Sequence, residues 1–174
     1  MKSEDLLSTI RAVDPDMAEL VASEDQRQVR TLRLIPSENY ASPAVRATLA
    51  SNFTNKYGEG YPGRRYYQGQ RFTDAMEVEV KRRACELFGY PHANVQALSG
   101  APANLAVYSA FLKPFQGKIM GMRLDHGGHL THGMKLNFSG KVYNATSYGV
   151  NPDTFLIDMD QVRDAAHEHK PRVI

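Results

Sequence analysis

Lys118-Ile119-Met120-Gly121-Met122 runs straight into Arg123-Leu124-Asp125-His126-Gly127-Gly128-His129-Leu130-Thr131-His132-Gly133, and the reading of this stretch decides the fold class. The first five residues predict a strand. The loop behind them packs three histidines at a spacing of three around a glycine pair. Imidazole is the commonest transition-metal ligand, so a metal centre is the first candidate. The glycine pair argues against it, because it disfavours a regular helix through the first two histidines, and on a helix residues i and i+6 diverge by more than half a turn. No Cys-x-x-Cys accompanies the segment. It reads instead as a glycine-hinged loop that lays one imidazole flat against a planar ligand.

Outward from this stretch, strands and helices alternate. Asn94 to Leu98 predicts a strand, Pro102 to Leu112 a helix, Lys141 to Ser147 a strand, Asp160 to His169 a helix, and Arg172-Val173-Ile174 the start of one more strand. That order predicts an α/β layer built on a mostly parallel sheet. Upstream, Asp14 to Arg33 predicts a helix with Asp14 as N-cap and Pro15 at its first position. Its stripe of Met17, Leu20, Val21 and Val29 is narrow, which suits an arm packed on another surface. A short helix begins at Ser42-Pro43 and runs through Val45 and Leu49, and Thr73 opens a longer one that Gly89 stops after Phe88. Asn55 to Gly69 is dense in Gly, Tyr and Arg, and four tyrosines make it a structured loop rather than a flexible linker. The apolar run at Ile174 reads as a strand that continues, so the chain is expected to be the N-terminal part of a longer polypeptide.

Composition bounds the function classes. The 174 residues are 42% hydrophobic, enough for a domain with a core. With 21 basic and 19 acidic residues the net charge is +2, which supports neither a nucleic-acid nor a membrane-surface partner. The single Cys85 allows no internal disulfide, and a reducing cytoplasm is expected. The start, Met1-Lys2-Ser3-Glu4-Asp5, lacks the apolar core of a secretory leader, and no apolar run approaches a membrane span.

Three sites could carry chemistry. Ser99-Gly100-Ala101-Pro102-Ala103-Asn104 sits where a strand hands over to a helix, and unpaired helical N–H groups there favour an anion by roughly 0.3–1 kcal/mol. Simple capping by Ser99 is the competing reading. Glu59, between Gly58 and Gly60 and flanked by Tyr57 and Tyr61, is a candidate general acid or base. The same loop could be a surface turn whose tyrosines pack and whose Arg64 and Arg65 pair. Ser37-Glu38-Asn39 is a polar turn after Leu34-Ile35. There is no G-x-G-x-x-G and no phosphate-loop lysine.

Four blocks in order carry a family resemblance: Leu34-Ile35-Pro36-Ser37-Glu38-Asn39-Tyr40; Thr54-Asn55-Lys56-Tyr57-Gly58-Glu59-Gly60-Tyr61-Pro62-Gly63-Arg64-Arg65-Tyr66-Tyr67; Asn94-Val95-Gln96 leading into Ser99-Gly100; and the histidine loop followed by Asn137-Phe138-Ser139-Gly140. On these the chain resembles serine hydroxymethyltransferase (glycine hydroxymethyltransferase). The resemblance implies a three-layer α/β large domain of the pyridoxal-phosphate-dependent aspartate aminotransferase-like fold (fold type I). The domain would be incomplete here and preceded by an N-terminal helical arm. Residues 1–52 would form the arm and interface segment, and 53–174 the first part of the cofactor-binding large domain.

The resemblance also implies roles. Ser99, Gly100 and Ala101 would receive the phosphate of pyridoxal 5′-phosphate, and His129 would stack on its ring. Leu124, Gly128 and Leu130 would border the pocket of the co-substrate tetrahydrofolate. Ser37 would contact the amino-acid substrate, serine or glycine. Glu59 would handle the proton on the substrate hydroxyl or on folate, and Tyr57 and Tyr67 would line the site. Tyr57, Glu59 and Tyr67 would act in a neighbouring subunit, implying a homodimer or higher homo-oligomer. His126 and His132 would hold the loop by hydrogen bonds.

Two residues depart from the family pattern, Ala101 where serine is common and Gln68 where glycine is common. The family's Thr-Thr-His-Lys motif, with the lysine that takes the cofactor covalently, has no counterpart in this sequence, and Lys56, Lys118, Lys135 and Lys141 lie outside any such motif. The acidic partner of the pyridine nitrogen and the arginine for the substrate carboxylate are also missing. The chain alone is therefore expected to be silent. Competing readings are another lyase of the same fold, such as a threonine aldolase, a non-catalytic binding or interface fragment, and a metal protein using the three histidines.

Overall fold

The computed structural model describes residues 3–174; Met1 and Lys2, which belong to the leader reading, lie outside the described residues. The chain forms two compact units, the first ending at Glu79 and the second spanning Val80–Ile174. The first unit carries α1 (Ser3–Arg11), α2 (Pro15–Arg30), α3 (Pro43–Leu49), a two-residue-strand hairpin of β1 (Gly60–Tyr61) and β2 (Arg64–Arg65), and the start of α4 (Arg71–Phe88). The second carries α5 (Gly100–Phe111), β3 (Lys118–Met122), α6 (Phe138–Val142), β4 (Asn144–Tyr148) and α7 (Met159–His169).

Short polar side chains set the helix starts as the sequence predicts. Asp14 accepts from the Met17 N–H at 2.9 Å, with Pro15 at the first helical position of α2. Ser42 accepts from the Val45 N–H at 3.3 Å to open α3. Each such cap contributes about 1 kcal/mol by satisfying an otherwise orphaned donor. α1 was not anticipated as a separate element; it packs on α2, where Ala18 is fully buried. Leu20 and Val29 on α2 stay exposed, in keeping with a narrow stripe.

The sheet of the second unit is parallel, as expected. β3 pairs with β4 in the register Ile119 to Ala145, and Ile119 also bridges Val173 in parallel on the opposite edge. The Met120 N–H donates to the Val173 carbonyl at 2.9 Å, so the strand predicted at Arg172-Val173-Ile174 is present as a single bridge. Tyr108 of α5 and Leu112, which follows the helix as its C-cap, pack on Ile119 and Tyr143, with Val142 and Val173 at the margin. Burial of a side chain such as Ile119 contributes roughly 1.5–3 kcal/mol, and the Tyr108 and Tyr143 rings meet edge to face at 5.7 Å.

Three expected boundaries are corrected. Asn94 to Leu98 is not a strand, because the Asn94 side chain accepts from the Gln96 N–H at 3.0 Å and turns the backbone locally. Lys141 and Val142 belong to α6, not to a strand. Asn137 caps that helix by accepting from the Ser139 N–H at 3.0 Å, and the strand begins only at Asn144. α4 starts at Arg71 rather than Thr73, with the Asp74 N–H donating to the Gln70 carbonyl at 2.8 Å.

The glycine pair after β3 works as a hinge. A short 3-10 turn, Leu124–His126, ends on Gly127 at φ 106°, a left-handed conformation that side chains resist. Gly128 then donates its N–H to the Arg123 carbonyl at 2.8 Å, and a Cβ there would collide with the Met122 carbonyl oxygen. We expect Gly128→Ala to destabilise the second unit by about 1–3 kcal/mol through forced backbone displacement, read as a lower urea midpoint with unchanged slope.

Candidate functional site

Thr131 organises the histidine loop. It is 6% exposed and makes bonds in three directions. Its backbone carbonyl accepts from the Tyr108 hydroxyl at 2.7 Å. Its hydroxyl accepts from Asn104 Nδ2 at 2.8 Å and faces His129 Nδ1 at 2.8 Å, while its own N–H donates to the same Nδ1 at 3.2 Å. An Nδ1 that accepts the backbone N–H carries no proton, so the neutral His129 ring bears its hydrogen on Nε2. Burial pushes the Tyr108 phenol up from its ordinary value of 10.0, which keeps it a donor.

The other two histidines use the same atom in the same way. His126 Nδ1 accepts from the Val150 N–H at 2.9 Å, and His132 Nδ1 accepts from the His129 N–H at 3.1 Å. His126 and His132 thus hold the loop by hydrogen bonds. Desolvation by burial, followed by the nearby His129, lowers the pKa of His132 below 6.5, which favours its neutral, accepting form. Ser139, 2% exposed, closes the far end of the loop: its hydroxyl accepts from the Gly133 N–H at 3.0 Å and donates to Asn137 Oδ1 at 2.8 Å. Among the described residues no group of three or more His, Cys, Asp or Glu side chains is placed to hold a metal ion.

His129 itself is exposed and lines a cavity of about 250 Å³ with Leu124, Arg123 and Lys135. Gly128 lines a second cavity, against Asn104, Tyr108 and Met122, and Leu130 is 44% exposed. Ser99 stands at the N-cap position of α5 with extended backbone, yet its side chain accepts no helical N–H. The first intrahelical bond is Ala103 N–H to the Ser99 carbonyl at 3.1 Å, so the amides of Gly100 and Ala101 precede the ladder. Ala101 shares a largely apolar cavity of about 220 Å³ with Thr131 and Phe138. The cavity lined by His129 is not lined by Ser99 or Gly100. Helix α5 reaches His129 through Asn104 and Thr131.

In the first unit the tyrosine loop folds around Arg65. Its guanidinium, 4% exposed, donates to Asp74 Oδ1 and Glu77 Oε2 at 2.8 Å each, and to the carbonyls of Gly58 and Gly60. The Gly63 N–H adds a bond to Asp74 Oδ2 at 3.0 Å. Within this loop the Glu59 carbonyl accepts from the Tyr66 N–H while its side chain stays exposed. Tyr57 and Tyr67 meet edge to face at 5.9 Å, and Gln70 Nε2 holds the Tyr57 carbonyl at 2.6 Å. Ser37 lies exposed on a separate turn closed by the Glu38 N–H to the Ile35 carbonyl, beside Tyr40, over whose ring the Arg33 guanidinium lies at 3.9 Å.

Sequence reasoning missed Arg65, Asp74 and Glu77 as one anchor, and Asn104, Tyr108 and Thr131 as another. An arginine inside a glycine-rich turn, which leaves many carbonyls to satisfy, was the available signal for the first. The second pairs residues 23 or more positions apart and has no local signature.

A family model described as serine hydroxymethyltransferase matches residues 10–174. A serine hydroxymethyltransferase of Leifsonia xyli subsp. xyli is 56% identical over 167 residues, covering 96% of this chain and 39% of that protein. One from Acinetobacter baumannii is 54% identical over 166 residues, 95% of this chain and 40% of the relative. One from Clavibacter sepedonicus is 57% identical over 162 residues, 93% and 38% respectively. The chain thus spans about two fifths of the length of these curated relatives.

Two pH dependences follow. The Arg65 guanidinium, and then the Gly63 N–H, hold the Asp74 carboxyl below its ordinary 3.8. A carboxylate depressed in the folded state stabilises fully above about pH 4 and loses that contribution as pH falls further. Asp74→Asn is expected to lower Tm at pH 7 by about 5 °C and to flatten the acid limb of a Tm-against-pH series. For His132, unfolding releases a group that takes up a proton more readily, so its contribution is complete above pH 6.5 and declines on acidification below it. His132→Asn, which keeps an acceptor without a titration, should lose less Tm than the unaltered chain between pH 7.5 and 5.5.

Proposed function

The chain belongs to the serine hydroxymethyltransferase family, and we propose that it supplies part of the site where the hydroxymethyl group of serine passes to tetrahydrofolate, giving glycine and 5,10-methylenetetrahydrofolate. The architecture proposed with it is the three-layer fold type I large domain, with residues 1–52 as an arm and 53–174 as the first part of the domain. Parallel pairing of β3 with β4, with α5 packed on it, supports that architecture. The family match does not favour a threonine aldolase or a non-catalytic fragment as the reading.

The residues present fit pyridoxal 5′-phosphate. Ser99, Gly100 and Ala101 would hold its phosphate: the Ser99 hydroxyl is not committed to capping, two amides precede the helical ladder, and the helix dipole favours an anion there. Ala101 offers a backbone donor without a hydroxyl. His129 would face the ring, and its support is the observation that carries the reading: an exposed imidazole immobilised through Nδ1 by Thr131, which is bonded in turn to the same helix α5. When bound, the cofactor supplies an electron sink for the bond broken at Cα.

The chain's own side chains would orient and move protons. Glu59, exposed on a turn that Arg65 clamps, would hold or pass the proton of the substrate hydroxyl or of folate. Tyr57 and Tyr67, 70% and 50% exposed, would line the site beside it, and Ser37 would contact the amino acid. Leu124, Gly128 and Leu130 would border the folate pocket. Glu59, Tyr57 and Tyr67 would serve a neighbouring copy, making a homodimer or larger homo-oligomer the working unit. The cytoplasm is the proposed setting, consistent with the lone Cys85 thiol; among the described residues no helix is long and apolar enough to cross a membrane. With no lysine in a Thr-Thr-His-Lys motif, the chain alone would be catalytically silent.

Equilibrium dialysis of this chain with pyridoxine 5′-phosphate, which cannot bond covalently to lysines, tests the reading. We expect tighter binding than for inorganic phosphate, and a drop of about tenfold for His129→Ala, the size of one lost ring contact. Binding no tighter than inorganic phosphate, or an unaffected His129→Ala, would overturn it.

A further inference from the structure

We propose that Thr131 is a positioning residue that fixes the His129 imidazole in register with the N-terminus of α5, with Asn104 as its anchor; this rests on the reading of His129 and Ser99 given above.

The argument starts from hydrogen-bond direction. Asn104 Nδ2 donates to Thr131 Oγ1, which obliges the hydroxyl hydrogen to point elsewhere, and the acceptor in reach is His129 Nδ1 at 2.8 Å. The hydroxyl therefore works as a relay with one direction, Asn104 to Thr131 to His129. The Thr131 N–H reaches the same Nδ1 at 3.2 Å, so two donors from one residue hold one ring nitrogen and restrict both rotation about the side chain and the tautomer.

The relay has a fixed base. Asn104 stands on the second turn of α5, five residues beyond Ser99, so its amide is fixed to the helix whose first amides precede the hydrogen-bond ladder. The Thr131 carbonyl is clamped from the same helix by Tyr108, one turn further on, at 2.7 Å. Helix α5 thus grips Thr131 by both side chain and backbone. Burial at 6% exposure excludes water that would compete for these bonds. A planar ligand carrying an anionic tail needs its two docking elements at a set separation, and preorganising them removes an ordering cost from binding. Serine would preserve the relay, whereas valine would keep the shape and remove the hydroxyl.

The test uses this chain and two readouts. In the first, without ligand, long-range ¹H–¹⁵N spectra report the His129 ring nitrogens. Thr131→Val is expected to move the Nδ1 signal toward the range of a less hydrogen-bonded acceptor, with Thr131→Ser matching the unaltered chain. In the second, pyridoxine 5′-phosphate binding is measured for Thr131→Val, Asn104→Leu and His129→Ala, singly and with His129→Ala combined with Thr131→Val. We expect Thr131→Val to weaken binding about tenfold, as for one oriented hydrogen bond, with inorganic phosphate affinity unchanged and Thr131→Ser restoring affinity. Asn104→Leu should weaken it in the same direction, and His129→Ala should cost less in the Thr131→Val background than alone. An unmoved Nδ1 signal, or a His129→Ala cost equal in both backgrounds, overturns the proposal while leaving the stacking role intact. A His129→Ala variant that binds as tightly as the unaltered chain overturns the stacking role itself.

Discussion

One buried threonine ties the histidine loop to helix α5 in the second unit. Thr131 sits where α5 meets the histidine loop, and every polar group it carries is used. A buried hydroxyl or carbonyl without a partner costs about 1–3 kcal/mol, so a residue that satisfies Asn104, Tyr108 and His129 together removes several such penalties at once. The same bonds transmit position. The helix that packs Tyr108 against Ile119 is also the helix that holds the loop, so core packing and loop placement are one arrangement rather than two.

The first unit solves a related problem by a different device. Glycine-rich turns leave carbonyls that no regular ladder absorbs, and the turn from Gly58 to Arg65 is of that kind. A single guanidinium takes two of those carbonyls and two carboxylates, using the planar fork that lysine lacks. Its charge is compensated by Asp74 and Glu77, both on α4, so the loop is fastened to a helix face. Glu59 is thereby left free of the anchoring bonds, with its carboxylate toward solvent on a backbone that is fixed. The loop thus divides between residues that hold it and an exposed carboxylate that takes no part in holding it.

Those two anchors also mark where the sequence stops being legible. The helices α2, α3 and α7 and the strand β3 follow from caps and periodicity that operate within four residues; they were readable to within a residue or two, except that α2 ends at Arg30 rather than Arg33. Asn94 to Leu98 was misread because an Asx turn at Asn94 outcompetes extension, and Lys141 because the Asn137 cap pulls it into α6. In both cases asparagine offered the backbone a local partner that a pattern of apolar residues does not display. The glycine-broken histidine loop was readable because its glycines and histidines are unusual together. Thr131 and Arg65 were not, since their importance lies in partners far away in sequence, and an isolated threonine or arginine looks like any other.

The three histidines illustrate how bonding direction, more than residue type, decides what a cluster can do. A metal ligand must offer a ring nitrogen lone pair toward the ion. In His126, His129 and His132 the Nδ1 lone pair is already engaged by a backbone N–H, from Val150, Thr131 and His129 respectively. With Nδ1 accepting, the neutral ring carries its proton on Nε2, and what remains outward is a donor and an aromatic face. Of the three rings, His126 and His132 are partly buried and His129 is exposed. The His129 imidazole is held at Nδ1 by both donors of Thr131, and the glycine pair that removed the helix from this segment is what lets the backbone bend tightly enough to leave that ring at the surface.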